Sequence, residues 1–341
     1  MKRREFLQDL SALGASTLLP CHVYAGTAQP ISQARQTPEE GARPVGIGVI
    51  AIGRIGGEIL SALAGNLLYL RRSIAIDTDP VALLRVVADE KLMFCPGCLH
   101  TASQFSKGFR GDFAELLEGI DIAFIVAGIG GGIDINLLSA IADVLREKSI
   151  STIAAVIPSR GIEDGYRQGV AHDDIHALKD VANAVFPLAI AFHQSTTSLP
   201  SALNQAINTF EHLYHGVTKP VFGPGLVTLD VEDVVSTLSQ DGASAIGFGL
   251  ASGENAESAM LAAIKHPLLG RGRLFSASTV FFHLEGHTDI LKFKTISKVI
   301  DMVRGATDEH YDSMLIFGAT ENNALFCDYR VTILASGIHM R

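Results

Sequence analysis

Residues 120–136 read "IDIAFIVAGIGGGIDIN". The apolar run is too short for a buried helix and is bounded by Asp121 and by glycine, so it reads as a strand buried on both faces. Gly128, Gly130, Gly131 and Gly132 then make a turn whose backbone can lie close against a bulky group. Downstream, "LLSAIADVLREKS" places apolar residues at helical intervals, and "ISTIAAVIP" is another strand. Upstream, "VGIGVIAIG" is a strand running into the helical "IGGEILSALAGNLL". "RSIAIDTD" is a second strand ending in acids, and "DFAELLEGI" is a short helix. This alternation predicts an α/β fold, a parallel sheet covered on both faces. Ligands of such sheets bind at the carboxyl ends of the strands, where both glycine turns fall.

The second half is patterned differently. "SLPSALNQAINTFEHLYHGV" predicts one long helix, and beyond it "STVFFHLEG", "SMLIFGATE" and "YRVTILASG" are more widely spaced strands. The expected division is a nucleotide-binding-type domain over 44–199, a central helix over 200–223 and a smaller α+β domain over 224–341. Before these stand a twin-arginine-type signal peptide over 1–25 and a linker over 26–43. The signal is read from Arg3, Arg4, Phe6 and Leu7, a modest apolar stretch, and a Val-Tyr-Ala ending suited to cleavage after Ala25. The alternative there is an amphipathic helix. With the signal the protein is exported to the periplasm; without it, it stays in the cytoplasm.

Composition narrows the function. The chain has 341 residues, 48% of them hydrophobic, which suffices for two cores. A net charge of -9 argues against a nucleic-acid partner, which would need a basic face. No interior run reaches the ~18 apolar residues of a membrane span. Cys21, Cys95, Cys98 and Cys327 make a single C-x-x-C, read as a local turn rather than a zinc or redox centre. His172 and His176, four apart with Asp173 and Asp174 between, form at most half a metal site, and a solvated helix face explains them; no metal site is expected.

In "VIAIGRIGGEIL", Gly53, Arg54, Gly56 and Gly57 lie between a strand and a helix, where backbone N–H groups and the helix dipole favour phosphate. Ala51 replaces the first glycine of the dinucleotide fingerprint, and Asp77 ends the next strand near the spacing of a ribose-binding acid. A Rossmann-type NAD-dependent oxidoreductase is therefore one reading of this stretch.

The order of the remaining segments points elsewhere. "FIVAGIGGG", "GIEDGYR", the long helix, "GLVTLDVEDVVSTL", "ASGENAESAMLAAIKHPLL" and "YRVTILASGI" together resemble the bacterial FtsZ and tubulin superfamily over nearly all of the chain from Val45. The resemblance implies GTP or GDP as ligand, Mg2+ where GTP is bound, and head-to-tail self-assembly. It places Gly53, Gly56 and Gly57 on one side of the phosphates, and Gly130, Gly131 and Gly132 on the other. Glu163 would bond the ribose, Arg167 would lie over the base and Asn208 would face the guanine edge. Asp230 and Asp233 would position the attacking water in the neighbouring subunit's site, as the catalytic pair of a GTPase.

Several residues depart from that pattern. FtsZ proteins read Gly-Gly-Gly-Thr-Gly-Thr-Gly at the main phosphate loop, whereas here Ile133, Asp134, Ile135 and Asn136 follow the triplet. A carboxylate about 4 Å from a phosphate charge costs roughly 4 kcal/mol at an effective dielectric of 20, which is about three powers of ten in affinity. Arg54 offsets this in part. Thr228 replaces the usual Asn of the acidic loop, and the chain stops at Arg341 without the FtsZ linker and recruitment peptide. The sequence thus reads as a divergent FtsZ/tubulin-like protein, self-assembling or scaffolding, with weak or lost GTPase activity. An active, polymerising GTPase is the alternative.

Overall fold

The computed structural model describes residues 45–94, 99–101, 104–105, 107–129, 135–158, 178–179, 182–188, 199–253, 255–307 and 313–338, together with Val23–Tyr24. Gly130, Gly131, Gly132, Glu163, Arg167, Asp134, the Cys95/Cys98 pair, His172 and His176 lie outside them, as do Arg3 and Arg4.

The strand expected at "VGIGVIAIG" is β2 (Ile47–Ile52), after a two-residue strand β1 (Val23–Tyr24). It leads into α1 (Gly53–Ala62), β3 (Leu70–Asp77), α2 (Pro80–Arg85) and β4 (Glu90–Met93). A small ribbon of β5 (Leu99–Thr101) and β6 (Gln104–Phe105) precedes α3 (Lys107–Leu116). Then come β7 (Ile122–Ile129), α4 (Ile135–Glu147), β8 (Ser151–Pro158) and β9 (Ala184–Pro187). The sheet order is β1-β4-β3-β2-β7-β8-β9, with β1 antiparallel and all other pairs parallel.

All six residues of β2 and all eight of β7 are buried, as unbroken apolar strands should be. Alternation sends Val49, Ala51, Phe124 and Val126 to one face, with α1. Ile50, Ile52, Ile125 and Ala127 face the other, with Phe109 and Phe113 of α3 and Leu138 and Ile141 of α4. Strand order reverses between β2 and β7, the point at which open α/β sheets hold ligands.

The long helix is α5 (Leu199–Phe222), and it runs through Pro220. It packs on β7 through Phe210 and Tyr214, whose rings lie 6.1 and 5.1 Å from that of Phe124. There follow β10 (Gly225–Val227), α6 (Val231–Leu238), β11 (Ala243–Ala251), α7 (Ala256–Ile264), α8 (Gly270–Phe275), β12 (Thr279–Gly286), α9 (Phe293–Arg304), β13 (Met314–Glu321) and β14 (Tyr329–Ile338). The second sheet has the order β10-β13-β12-β14-β11, with only β12 and β13 parallel. In β12, Phe281 joins the core shared with α5, while Val280, Phe282 and Leu284 face α7 and α9.

Candidate nucleotide-type site

Parallel register places Ile52 beside both Ile76 and Ala127, so the carboxyl ends of β2, β3 and β7 lie at the same edge of the sheet. Gly53 takes φ +68°, a left-handed turn that L side chains rarely adopt. Gly56 is needed for packing: a Cβ there would stand 2.3 Å from the carbonyl oxygen of Val126, so its absence lets α1 lie against β7. A Cβ on Gly57 would likewise meet Val86 at 2.5 Å. The start of α1 is thereby held at the rim, with no side-chain cap and no acid in its first turn. Its first N–H groups, uncapped by any side chain among the described residues, and its dipole favour an anion. The Arg54 side chain is 69% exposed and only loosely paired with Glu58 at 3.7 Å.

Beside this turn, Asp77 ends β3 nearly buried. Its Oδ1 accepts from the Asp79 N–H at 2.9 Å, and its Oδ2 has no partner among the described residues. An orphaned carboxylate oxygen at a rim that favours anions fits a hydroxyl donor or a bound cation. Among the described residues no group of three or more His, Cys, Asp or Glu could hold a metal on its own.

The direction of α5 orders the rest. Tyr214 Oη donates to the carbonyl of Leu68 at 2.7 Å, and His215 Nε2 lies 3.0 Å from that of Asn66, both just before β3. The carboxyl half of α5 therefore sits at the amino-terminal edge of the sheet. Asn208, exposed and six residues closer to the helix start than Tyr214, lies about 9 Å nearer the glycine rim. Asp230 and Asp233 are exposed at the start of α6, and Leu229, just before them, donates its N–H to the carbonyl of Pro220 in the last turn of α5 at 2.9 Å. The acidic corner and the glycine rim thus lie at opposite ends of one chain. Asp230 stands at the N-cap of α6 but makes no capping hydrogen bond.

Sequence reasoning missed the polar joint between α5 and the second sheet. Lys219 Nζ donates to Glu285 Oε2 at 2.5 Å, Asn322 Nδ2 donates to the same oxygen at 2.8 Å, and Arg330 Nη1 lies 3.6 Å from Oε1. Burial alone would raise the pKa of Glu285, but His283, Lys219 and Arg330 pull it down to about 2. At neutral pH His283 is itself uncharged, since burial lowers its pKa to about 4, so Lys219 and Arg330 carry the effect. His283 bonds Thr320 at 2.8 Å inside the joint. The ring of Phe248 lies between those of His212 at 3.9 Å and His266 at 4.1 Å, tying α5 to the second domain. A Glu and a His in the apolar strand "TVFFHLEG" were the available signal.

A parallel sheet with a glycine rim at its switch point, a long central helix and a second mixed sheet make up the two-domain tubulin/FtsZ fold. Residues 242–339 match the family model described as FtsZ family, C-terminal domain. The chain is 27% identical over 309 residues to the cell division protein FtsZ of Pseudomonas aeruginosa, covering 86% of this chain and 78% of that protein. Its fold is similar to an empty FtsZ dimer from M. jannaschii, with TM-score 0.72, 22% identity, and 86% and 88% of the two chains covered. It also resembles CetZ2 from Haloferax volcanii in a GTPγS-bound protofilament, with TM-score 0.65, 16% identity, and 86% and 94% covered. The chain is thus similar to FtsZ proteins in sequence, through its second domain and over most of its length, and in fold. The oxidoreductase reading of "AIGRIGG" and Asp77 finds no support: the strand order suits dinucleotide binders as well, but the central helix and second domain are similar to those of FtsZ.

Proposed function

We propose that the chain is a self-assembling FtsZ/tubulin-type protein that binds guanine nucleotide weakly and has reduced or lost GTPase activity. The observation that carries this reading is the separation of the two half-sites. The glycine rim and the Asp230/Asp233 corner stand at opposite ends, so they can meet only between chains stacked head to tail. In such a stack Gly53, Gly56, Gly57 and the Gly130–Gly132 turn flank the phosphates. Glu163 and Arg167 hold ribose and base, and Asn208 meets the guanine edge. The orphaned Asp77 oxygen suits Mg2+ or a ribose hydroxyl.

Reduced affinity follows from Asp134 in the phosphate turn. Equilibrium binding of a fluorescent GTP analogue tests it: Asp134→Gly is expected to tighten binding by up to about a thousandfold. An unchanged constant would remove the altered-loop reading. A second reading, an active GTPase, is favoured by one feature: the Asp230 carboxylate is not engaged in capping its own helix. Phosphate release from GTP that disappears in Asp230→Ala would establish it. We also propose twin-arginine export, on Arg3 and Arg4 followed by Phe6 and Leu7.

A further inference from the structure

The outer face of the second domain carries a cavity of about 500 Å³ between α7, α8 and α9. Leu261, Ile264, Phe275, Met302 and Ala306 supply apolar walls, and Gly272 leaves one side open. Leu261 is 38% exposed and Phe275 is 50% exposed, so two large apolar side chains stand at the mouth of a concave apolar site. Surfaces of that kind mark places where another group docks.

Charge selects the partner. Arg271 lines the mouth, and Lys265 and Arg304 adjoin lining residues in sequence. From Lys265 to Ala306 the sequence holds seven Lys and Arg against three Asp and Glu, a net of +4 in a chain of net -9. Of those three acids Glu285 is buried in the joint with Lys219 and Asp289 precedes the start of α9, at the other end of that helix from Met302, which leaves Asp301 nearest the groove; Glu257 on α7, outside that stretch, is tied to Lys298 at 2.6 Å. Membrane contact favours protruding apolar residues; this site is a recess, which takes a single inserted side chain.

We infer that this groove binds an acidic amphipathic peptide segment of a partner protein. An apolar side chain of the segment enters between Phe275 and Met302, and its flanking carboxylates face Arg271, Lys265 and Arg304. This is the helix-in-groove mode of recognition, with a charged rim that sets selectivity. The proposal does not depend on nucleotide binding or on assembly.

The probes are two labelled peptides with the same leucine face, one carrying glutamates and one lysines, read by fluorescence anisotropy. The glutamate peptide is expected to bind the full chain and the lysine peptide to bind at least tenfold more weakly. A Cβ at Gly272 meets nothing within 4 Å, so Gly272→Phe can fill the groove without displacing backbone. It should weaken the glutamate peptide about tenfold or more, as loss of a central anchor does. Gly272→Ala should leave binding intact, and Arg271→Glu, at an exposed site, should weaken it without altering the circular dichroism spectrum. Equal binding of the two peptides, or no effect of Gly272→Phe, would overturn the inference. So would binding to phosphatidylglycerol vesicles in place of peptide, or a dimer that Gly272→Phe dissociates.

Discussion

Acidification from about pH 7 to about pH 5 should destabilise this protein through three histidines at the joint between its halves. His212, His215 and His283 are 7, 5 and 1% exposed. Burial is the first cause of their lowered pKa values, about 3, 3 and 4; Arg330 adds to it in all three and Lys219 in His215 and His283, while Glu285 opposes. His266, on the far side of Phe248, is lowered as well, again by burial. A histidine whose folded pKa lies below its unfolded value of about 6.5 leaves stability intact above that value and removes it as pH falls below it. Each of the three then costs about 2 kcal/mol between pH 7 and pH 5, about 6 kcal/mol in all. That is a large part of the roughly 5–15 kcal/mol that holds a domain together. Glu285 does not contribute here, because a carboxyl held at about 2 keeps its stabilisation down to the ordinary carboxyl range. Urea unfolding followed by circular dichroism, at constant ionic strength across this range, measures the loss. His212→Gln should reduce it by about a third. A free energy that stays within about 1 kcal/mol from pH 7 to pH 5, or a loss identical in His212→Gln, would refute the assignment.

Three further outcomes are expected. Gly56→Ala should destabilise by about 1–3 kcal/mol in urea unfolding, although helix propensity alone favours alanine by about 1 kcal/mol, because the new Cβ would meet the Val126 carbonyl at 2.3 Å. Lys219→Met should cost about 2–4 kcal/mol by leaving Glu285 with only Asn322 and the more distant Arg330. The double change Lys219→Met, Glu285→Leu should recover part of it, so a double variant weaker than the sum of the two singles would speak against a buried ion pair. Changing Arg3 and Arg4 together to Lys should trap the protein in the cytoplasm, and fractionation showing the same compartment for both forms would remove the export proposal.

The central strands of the parallel sheet were legible because each is an apolar run bounded by glycine or charge. β2, β7 and β8 follow directly from "VGIGVIAIG", "IDIAFIVAG" and "ISTIAAVIP". The rim was legible too, since a glycine turn after a parallel strand has only one edge on which to lie. What Gly56 does was not: its reason is a carbonyl 70 positions away on β7, which no local pattern reveals. The joint was hidden for the same reason. Lys219, Glu285, Asn322 and Arg330 come from four separate segments and meet only when α5 crosses the second sheet. The helix α9 carries its apolar Ile296, Val299 and Val303 on one face and was readable from that spacing, whereas β9, four residues long, is too short to signal itself.

The separation of rim and acidic corner has one direct test: chemical cross-linking between chains. Arg54→Cys and Asp233→Cys would be prepared with Cys21, Cys95 and Cys98 changed to Ser, the remaining Cys327 being buried. Mixed and treated with a short bismaleimide, they are expected to give covalent dimers that neither gives alone, and one chain carrying both changes should give a ladder. Dimers from Arg54→Cys alone, or none in the mixture where the protein sediments as an assembly, would contradict head-to-tail stacking.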